Sequence, residues 1–145
     1  MADRHNDPSG FLAAIGRRVL VADGGMGTAL QAHDLTLDDF AGLEGCNEIL
    51  NETRPDVVTS VYRGYLEAGS DAIETNTFGT NLANLGEYDI PDRIRDLAEK
   101  GSALARQCAD EYSTPDRPRF VLGSMGPGTK LPTLGHAPYT VLRDA

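Results

Sequence analysis

Three short apolar runs recur about fifty residues apart along this chain, and each ends abruptly in small polar residues and glycine. Val19-Leu20-Val21-Ala22 runs into Asp23-Gly24-Gly25-Met26-Gly27-Thr28. Ala72-Ile73 runs into Glu74-Thr75-Asn76-Thr77-Phe78-Gly79, and Phe120-Val121-Leu122 into Gly123-Ser124-Met125-Gly126. The first run, four residues long and rich in Val, predicts a fully buried strand; the other two predict short strands, and the residues between the runs carry helical periodicity. Pro55 suits a first helical turn, Asp56 the positive end of the dipole, and Gly69 a left-handed stop. Between them Val57, Val58, Val61, Tyr62, Tyr65 and Leu66 form one apolar stripe. Pro91 opens a longer helix with Ile94, Leu97, Ala98, Gly101, Leu104, Ala105, Cys108, Ala109 and Tyr112 on one face. Phe11, Leu12 and Ile15 predict a short leading helix, and another is expected over residues 29–33, followed by an acidic loop and a turn at Gly45.

Strand and helix alternating at this spacing call for a parallel α/β sheet with right-handed crossovers. Sequential strands suit a β/α barrel, although a flavodoxin-like or Rossmann-like open sheet meets the same pattern. A complete (β/α)8 barrel takes ~250 residues, and the chain has 145. About three βα units and a leading helix fit, so the expected architecture is the N-terminal half of such a barrel. Residues 1–10 read as a loose N-terminus and 11–145 as the partial barrel. Tyr139, Val141 and Leu142 begin a helical pattern with no stop signal, so the chain reads as cut within an element.

Net charge is −9 and the sequence pI about 4.6. Nucleic acid and anionic membrane surfaces, which need clustered Lys and Arg, are therefore not expected as partners. No apolar run is long enough for a membrane span and no signal-peptide pattern opens the chain. Cys46 and Cys108 lie far apart without CxxC spacing, which fits two small buried apolar residues in a reduced, cytoplasmic protein.

In a parallel sheet the three strand exits meet on one face. Asp23 with Gly24, Gly25 and Gly27 stands beside Glu74 with Thr75, Asn76 and Thr77, and beside Ser124 with Gly126 and Gly128. Carboxylates hold an ammonium group and glycine N–H groups hold a carboxylate, so this rim suits a small zwitterion. The glycine run permits positive φ and close backbone approach. An equally open reading makes Asp23 a helix cap and Glu74 a residue satisfied by neighbouring hydroxyls. The run lacks the Lys-Ser/Thr of a phosphate loop and the spacing of GxGxxG, and Lys130 precedes Leu131-Pro132 rather than a helix start. His5, His33 and His136 have no partner at metal-ligand spacing and read as surface residues.

Several of these motifs, in this order, resemble the homocysteine S-methyltransferase family, most closely its cobalamin-dependent branch. They are Asp23-Gly24-Gly25-Met26-Gly27-Thr28, Gly45-Cys46-Asn47-Glu48, Thr53-Arg54-Pro55-Asp56-Val57, Tyr65-Leu66-Glu67-Ala68-Gly69, Glu74-Thr75-Asn76-Thr77-Phe78-Gly79 and Gly123-Ser124-Met125-Gly126-Pro127. The resemblance implies a barrel binding homocysteine at its strand carboxyl ends, with Asp23, Gly24, Gly25, Met26, Gly27, Glu74, Asn76, Thr77 and Ser124 as substrate-binding residues. It also implies a zinc ion on three cysteine thiolates that activates the homocysteine sulfur. Methylcobalamin on a separate domain would supply the methyl group, and a folate domain would restore it. Cys46 and Cys108 match none of the family's zinc cysteines, so neither metal nor catalytic residues are expected in this chain. By itself it is expected to lack methyltransferase activity, to hold no stoichiometric zinc, and to self-associate through exposed strand edges. Its other expected partner is the remaining half of the barrel. Two alternatives stand beside this reading: a non-catalytic module binding a small amino acid or anion, and a homocysteine methyltransferase with another methyl donor.

Overall fold

The computed structural model describes residues 10–128, 132–136 and 138–144. Most of the N-terminal stretch, His5, Thr129-Lys130-Leu131 and Ala145 lie outside them. Helix α1, Phe11–Ile15, leads into the first apolar run, and α2, Met26–Leu30, follows it. A 3-10 turn at Asn47–Ile49 and α3, Leu50–Thr53, then precede α4, Pro55–Ala68. Strand β1, Ala72–Glu74, is followed by α5, Leu82–Leu85, and by α6, Ile94–Tyr112. Strand β2 is Phe120–Leu122, and α7 spans Tyr139–Asp144.

The patterned helices form for the reasons their sequence gives. Pro55 occupies the first turn of α4, and Gly69 takes φ +110° to end it. The Gly69 N–H then bonds the Leu66 carbonyl at 3.1 Å, and the Ser70 N–H bonds the Tyr65 carbonyl at 3.0 Å, a Schellman stop. Pro91 opens a 3-10 turn, Pro91–Arg93, and α6 proper begins at Ile94. The faces of α4 and α6 pack on each other and on β1. They bury Val58, Tyr62, Leu66, Ile73, Ala105 and Cys108 in one cluster. Cys46, Ile49, Leu85 and Leu97 form a second. Phe11 meets Phe120 edge to face, ring centroids 5.3 Å apart.

The strands run parallel, Ala72 opposite Phe120 and Glu74 opposite Leu122. On the other side of β1 the first run contributes a single parallel bridge, Ala22 to Ala72. Val19 is 84% and Val21 56% exposed, so the first run is not the fully buried strand its composition predicts. Burial depends on what lies across the sheet, and of this run only Leu20 is as much as half-buried among the described residues. The second short helix also sits earlier than residues 29–33, starting immediately behind the glycine turn.

What aligns the first run with β1 is an ionic clasp at the opposite end of the sheet from the glycines. Asp71, 2% exposed, accepts two hydrogen bonds from Arg18 at 2.8 and 2.9 Å and one from the Val21 N–H at 3.0 Å. The Arg117 and Arg119 guanidinium groups stand 3.5 and 3.7 Å away. Arg18 foremost, with the Val21 N–H and the Arg117 charge, holds the Asp71 carboxyl well below the usual carboxylate range against its burial. No helix among the described residues is long and apolar enough to cross a membrane.

Candidate functional site

The register set by Asp71 carries through to the other end of the sheet. The Asp23 N–H bonds the Ala72 carbonyl at 3.0 Å, and the Asp23 carboxylate accepts the Glu74 N–H at 3.0 Å. Asp23 is therefore a bridge between strand ends and not a helix cap. The cap position of α2 is Gly25, in extended conformation and without a side-chain bond. Neither Gly24, Gly25 nor Gly27 has positive φ, against the expectation for the turn. A Cβ at position 24 would stand 2.9 Å from the Tyr65 hydroxyl, so any other residue there needs the end of that side chain to shift.

Asp23, Gly24, Gly25, Met26 and Gly27 line one cleft of about 490 Å³ together with Glu74, Asn76 and Ser124. Asn47, Glu48, Thr75 and Phe78 complete its wall, and among the described residues no Lys, Arg or His lines it. Glu74 is exposed, and the Ser124 hydroxyl donates to it at 3.1 Å. Burial pushes the Asp23 carboxyl above its ordinary range; the bond from the Glu74 N–H opposes this and the Glu74 charge adds to it. A cleft with carboxylates on one wall and no cation is electrostatically suited to a ligand that carries an ammonium group.

The remaining expected residues divide. Asn76 lines the cleft, but its side-chain amide is already committed, donating to the Asn47 carbonyl at 2.8 Å and to Asn51 Oδ1 at 3.0 Å. Its backbone N–H donates to the buried Tyr62 hydroxyl at 2.7 Å. Thr77 is 7% exposed and does not line this cleft. Its hydroxyl lies 2.6 Å from that of Thr75 and donates to the Ser124 carbonyl at 2.8 Å, tying together the loops that follow β1 and β2. Thr77 instead lines a neighbouring, more apolar cleft of about 510 Å³ with Phe78, Met125 and Tyr139. Asn47 and Glu48 belong to the Gly45-Cys46-Asn47-Glu48 motif and line the cleft without having been among the expected site residues. They reach it through a 3-10 turn too short to leave a periodic signal.

Cys46 and Cys108 are free, fully buried and in different hydrophobic clusters. Burial pushes the Cys46 thiol up to about 11 and raises Cys108 as well. His33 and His136 are exposed. Among the described residues no three His, Cys, Asp or Glu side chains are grouped as a metal site.

Residues 20–145 match the family model described as homocysteine S-methyltransferase. The chain is 68% identical over 144 residues to a methionine synthase of Mycobacterium tuberculosis and 63% identical to one of Mycobacterium leprae. Each alignment covers 99% of this chain and 12% of the relative, so the chain spans about an eighth of the length of these proteins. The fold is similar to that of the homocysteine methyltransferase MmuM from Escherichia coli. For its metallated form the TM-score is 0.64 at 22% identity, covering 91% of this chain and 42% of that one. For its oxidized form the TM-score is 0.67 at 25% identity, covering 84% and 41%.

Proposed function

Because the chain belongs to the homocysteine S-methyltransferase family, we propose that it forms the first half of a homocysteine-binding (β/α)8 barrel in a cobalamin-dependent methionine synthase. The observation that carries this reading is the meeting of Asp23, Glu74 and Ser124 with the glycine turn in one cleft at the ends of parallel strands, without a cation among its described lining residues. Homocysteine carries an ammonium and a carboxylate on one carbon. Asp23 and Glu74 receive the ammonium, and peptide N–H groups of the turn at Gly24 to Gly27 receive the carboxylate. Met26, which also packs on the core beneath, holds that turn against the sheet.

The donor set in hand does not fit the family's zinc. The two thiols are buried in separate clusters with raised pKa, the opposite of what a thiolate ligand needs. The cleft residues bind and orient the substrate. The metal, the methylcobalamin and the folate belong, in this proposal, to partner segments: the other half of the barrel and separate cobalamin and folate domains. The 145 residues alone have no methyltransferase activity in this reading.

The test is kinetic and uses the complete protein that carries this sequence. Asp23→Asn raises the KM for homocysteine about tenfold or more, the scale of one lost charge-assisted contact, with a smaller change in kcat. An unchanged KM would show that the cleft does not hold the amino-acid end of homocysteine.

A further inference from the structure

Glu48 has no role in the site as described, yet it is the most deeply buried carboxylate in the cleft wall, 6% exposed against an exposed Glu74. Its Oε1 accepts the Gly79 N–H at 2.7 Å, while Oε2 takes, among the described residues, the weakly donating Cys46 thiol at 3.9 Å. A Cβ on residue 79 would stand 2.6 Å from that Oε1, so carboxylate and backbone meet at a distance that a glycine permits. Gly79 closes the loop that leaves β1, and its neighbour Phe78 lines both clefts. The Phe78 carbonyl in turn accepts the Gly126 N–H at 2.9 Å, which couples the same loop to the one leaving β2.

We infer that Glu48 is a positioning residue: it clamps the Gly79 peptide and thereby sets Phe78 and the wall shared by the two clefts. The clamp needs an oxygen that accepts a hydrogen bond and does not need a charge. This separates Glu48 from Asp23, whose charge the ligand uses. A glutamine at 48 keeps an acceptor for Gly79 and turns its amide toward the Cys46 sulfur.

The inference rests on the homocysteine reading for its kinetic arm alone. In the complete protein, Glu48→Ala raises the KM for homocysteine about tenfold, the scale of a buried backbone donor left without its acceptor, and Glu48→Gln recovers most of that loss. Hydrogen–deuterium exchange over residues 75–84 rises in Glu48→Ala and returns toward wild type in Glu48→Gln, whatever the substrate proves to be. If Glu48→Gln is as impaired as Glu48→Ala in both readouts, the clamp is overturned. Unchanged exchange in Glu48→Ala overturns it as well. A wild-type protein indifferent to homocysteine, with the exchange pattern as expected, removes the substrate reading and leaves the clamp standing.

Discussion

Asp23 meets two opposing demands. Partial burial beside Glu74 disfavours its charge, and the proposed ligand requires that charge. Its carboxyl pKa is raised in the fold, so the folded protein binds that proton more tightly than the unfolded chain does. Stability is then lost as pH rises through the interval between the ordinary value, about 3.9, and the raised one. Asp23→Asn, neutral and still able to accept the Glu74 N–H, should therefore melt at a higher temperature than wild type at pH 7. That advantage should shrink toward pH 4, while homocysteine binding weakens; thermal melts at the two pH values decide it. Tyr62 shows what local sequence cannot convey. Its periodicity marks it as core, and it is fully buried, but its hydroxyl also receives the Asn76 N–H from fourteen residues away in sequence. Tyr62→Phe leaves that N–H unpaired in the interior and should cost about 1–3 kcal/mol in urea unfolding.

Among the elements, α4 and α6 were legible because their signals are local: an apolar stripe in each, a proline at or just ahead of each start, and for α4 a glycine stop. The segment from Asn47 to Thr53 was not, since elements of three and four residues have no room for a period. They are held by contacts such as Asn51 Nδ2 to the Asn76 carbonyl at 2.8 Å. The first run was legible as extended chain but not in its burial or its partner. Its pairing reduces to the Ala22–Ala72 bridge, and Asp71 provides the anchor. Asp71→Ala leaves the Arg18, Arg117 and Arg119 charges without their carboxylate and frees the Val21 N–H. A loss of about 3 kcal/mol is expected by chemical denaturation, at the low end for buried pairs because Arg18 is partly exposed. A depressed carboxyl pKa contributes stability that is fully present above about 3.9 and disappears as pH falls through the folded value. The wild-type advantage over Asp71→Ala should accordingly narrow on acidification below pH 4.

At the scale of the molecule, the described residues leave apolar surface beside open strand edges. Val19 and Val21 face outward from the first run, and Phe78 and Met125 stand 60% and 91% exposed at the strand ends. Surfaces of this kind associate. Residues 1–145 expressed alone should sediment as dimers or larger at micromolar concentration, and a Val19→Thr/Val21→Thr variant should shift that equilibrium toward monomer. A compact monomer throughout would show that the exposed runs are covered in some other way. The alternation of strand and helix, the helix stops, and the grouping of Asp23, Glu74 and Ser124 at one end of a parallel sheet were all determined by the sequence alone. Each follows from local periodicity and from the rule that parallel strands present their exits on a common face. Tertiary structure alone decided which of the grouped residues line the cleft and which hold the loops. Asp23 bridges strands instead of capping a helix, Thr77 and the Asn76 amide turn to structural partners, and Glu48 enters the wall from a segment without pattern. Those outcomes depend on hydrogen bonds between residues tens of positions apart, whose register is fixed only when the sheet and its clasp have formed.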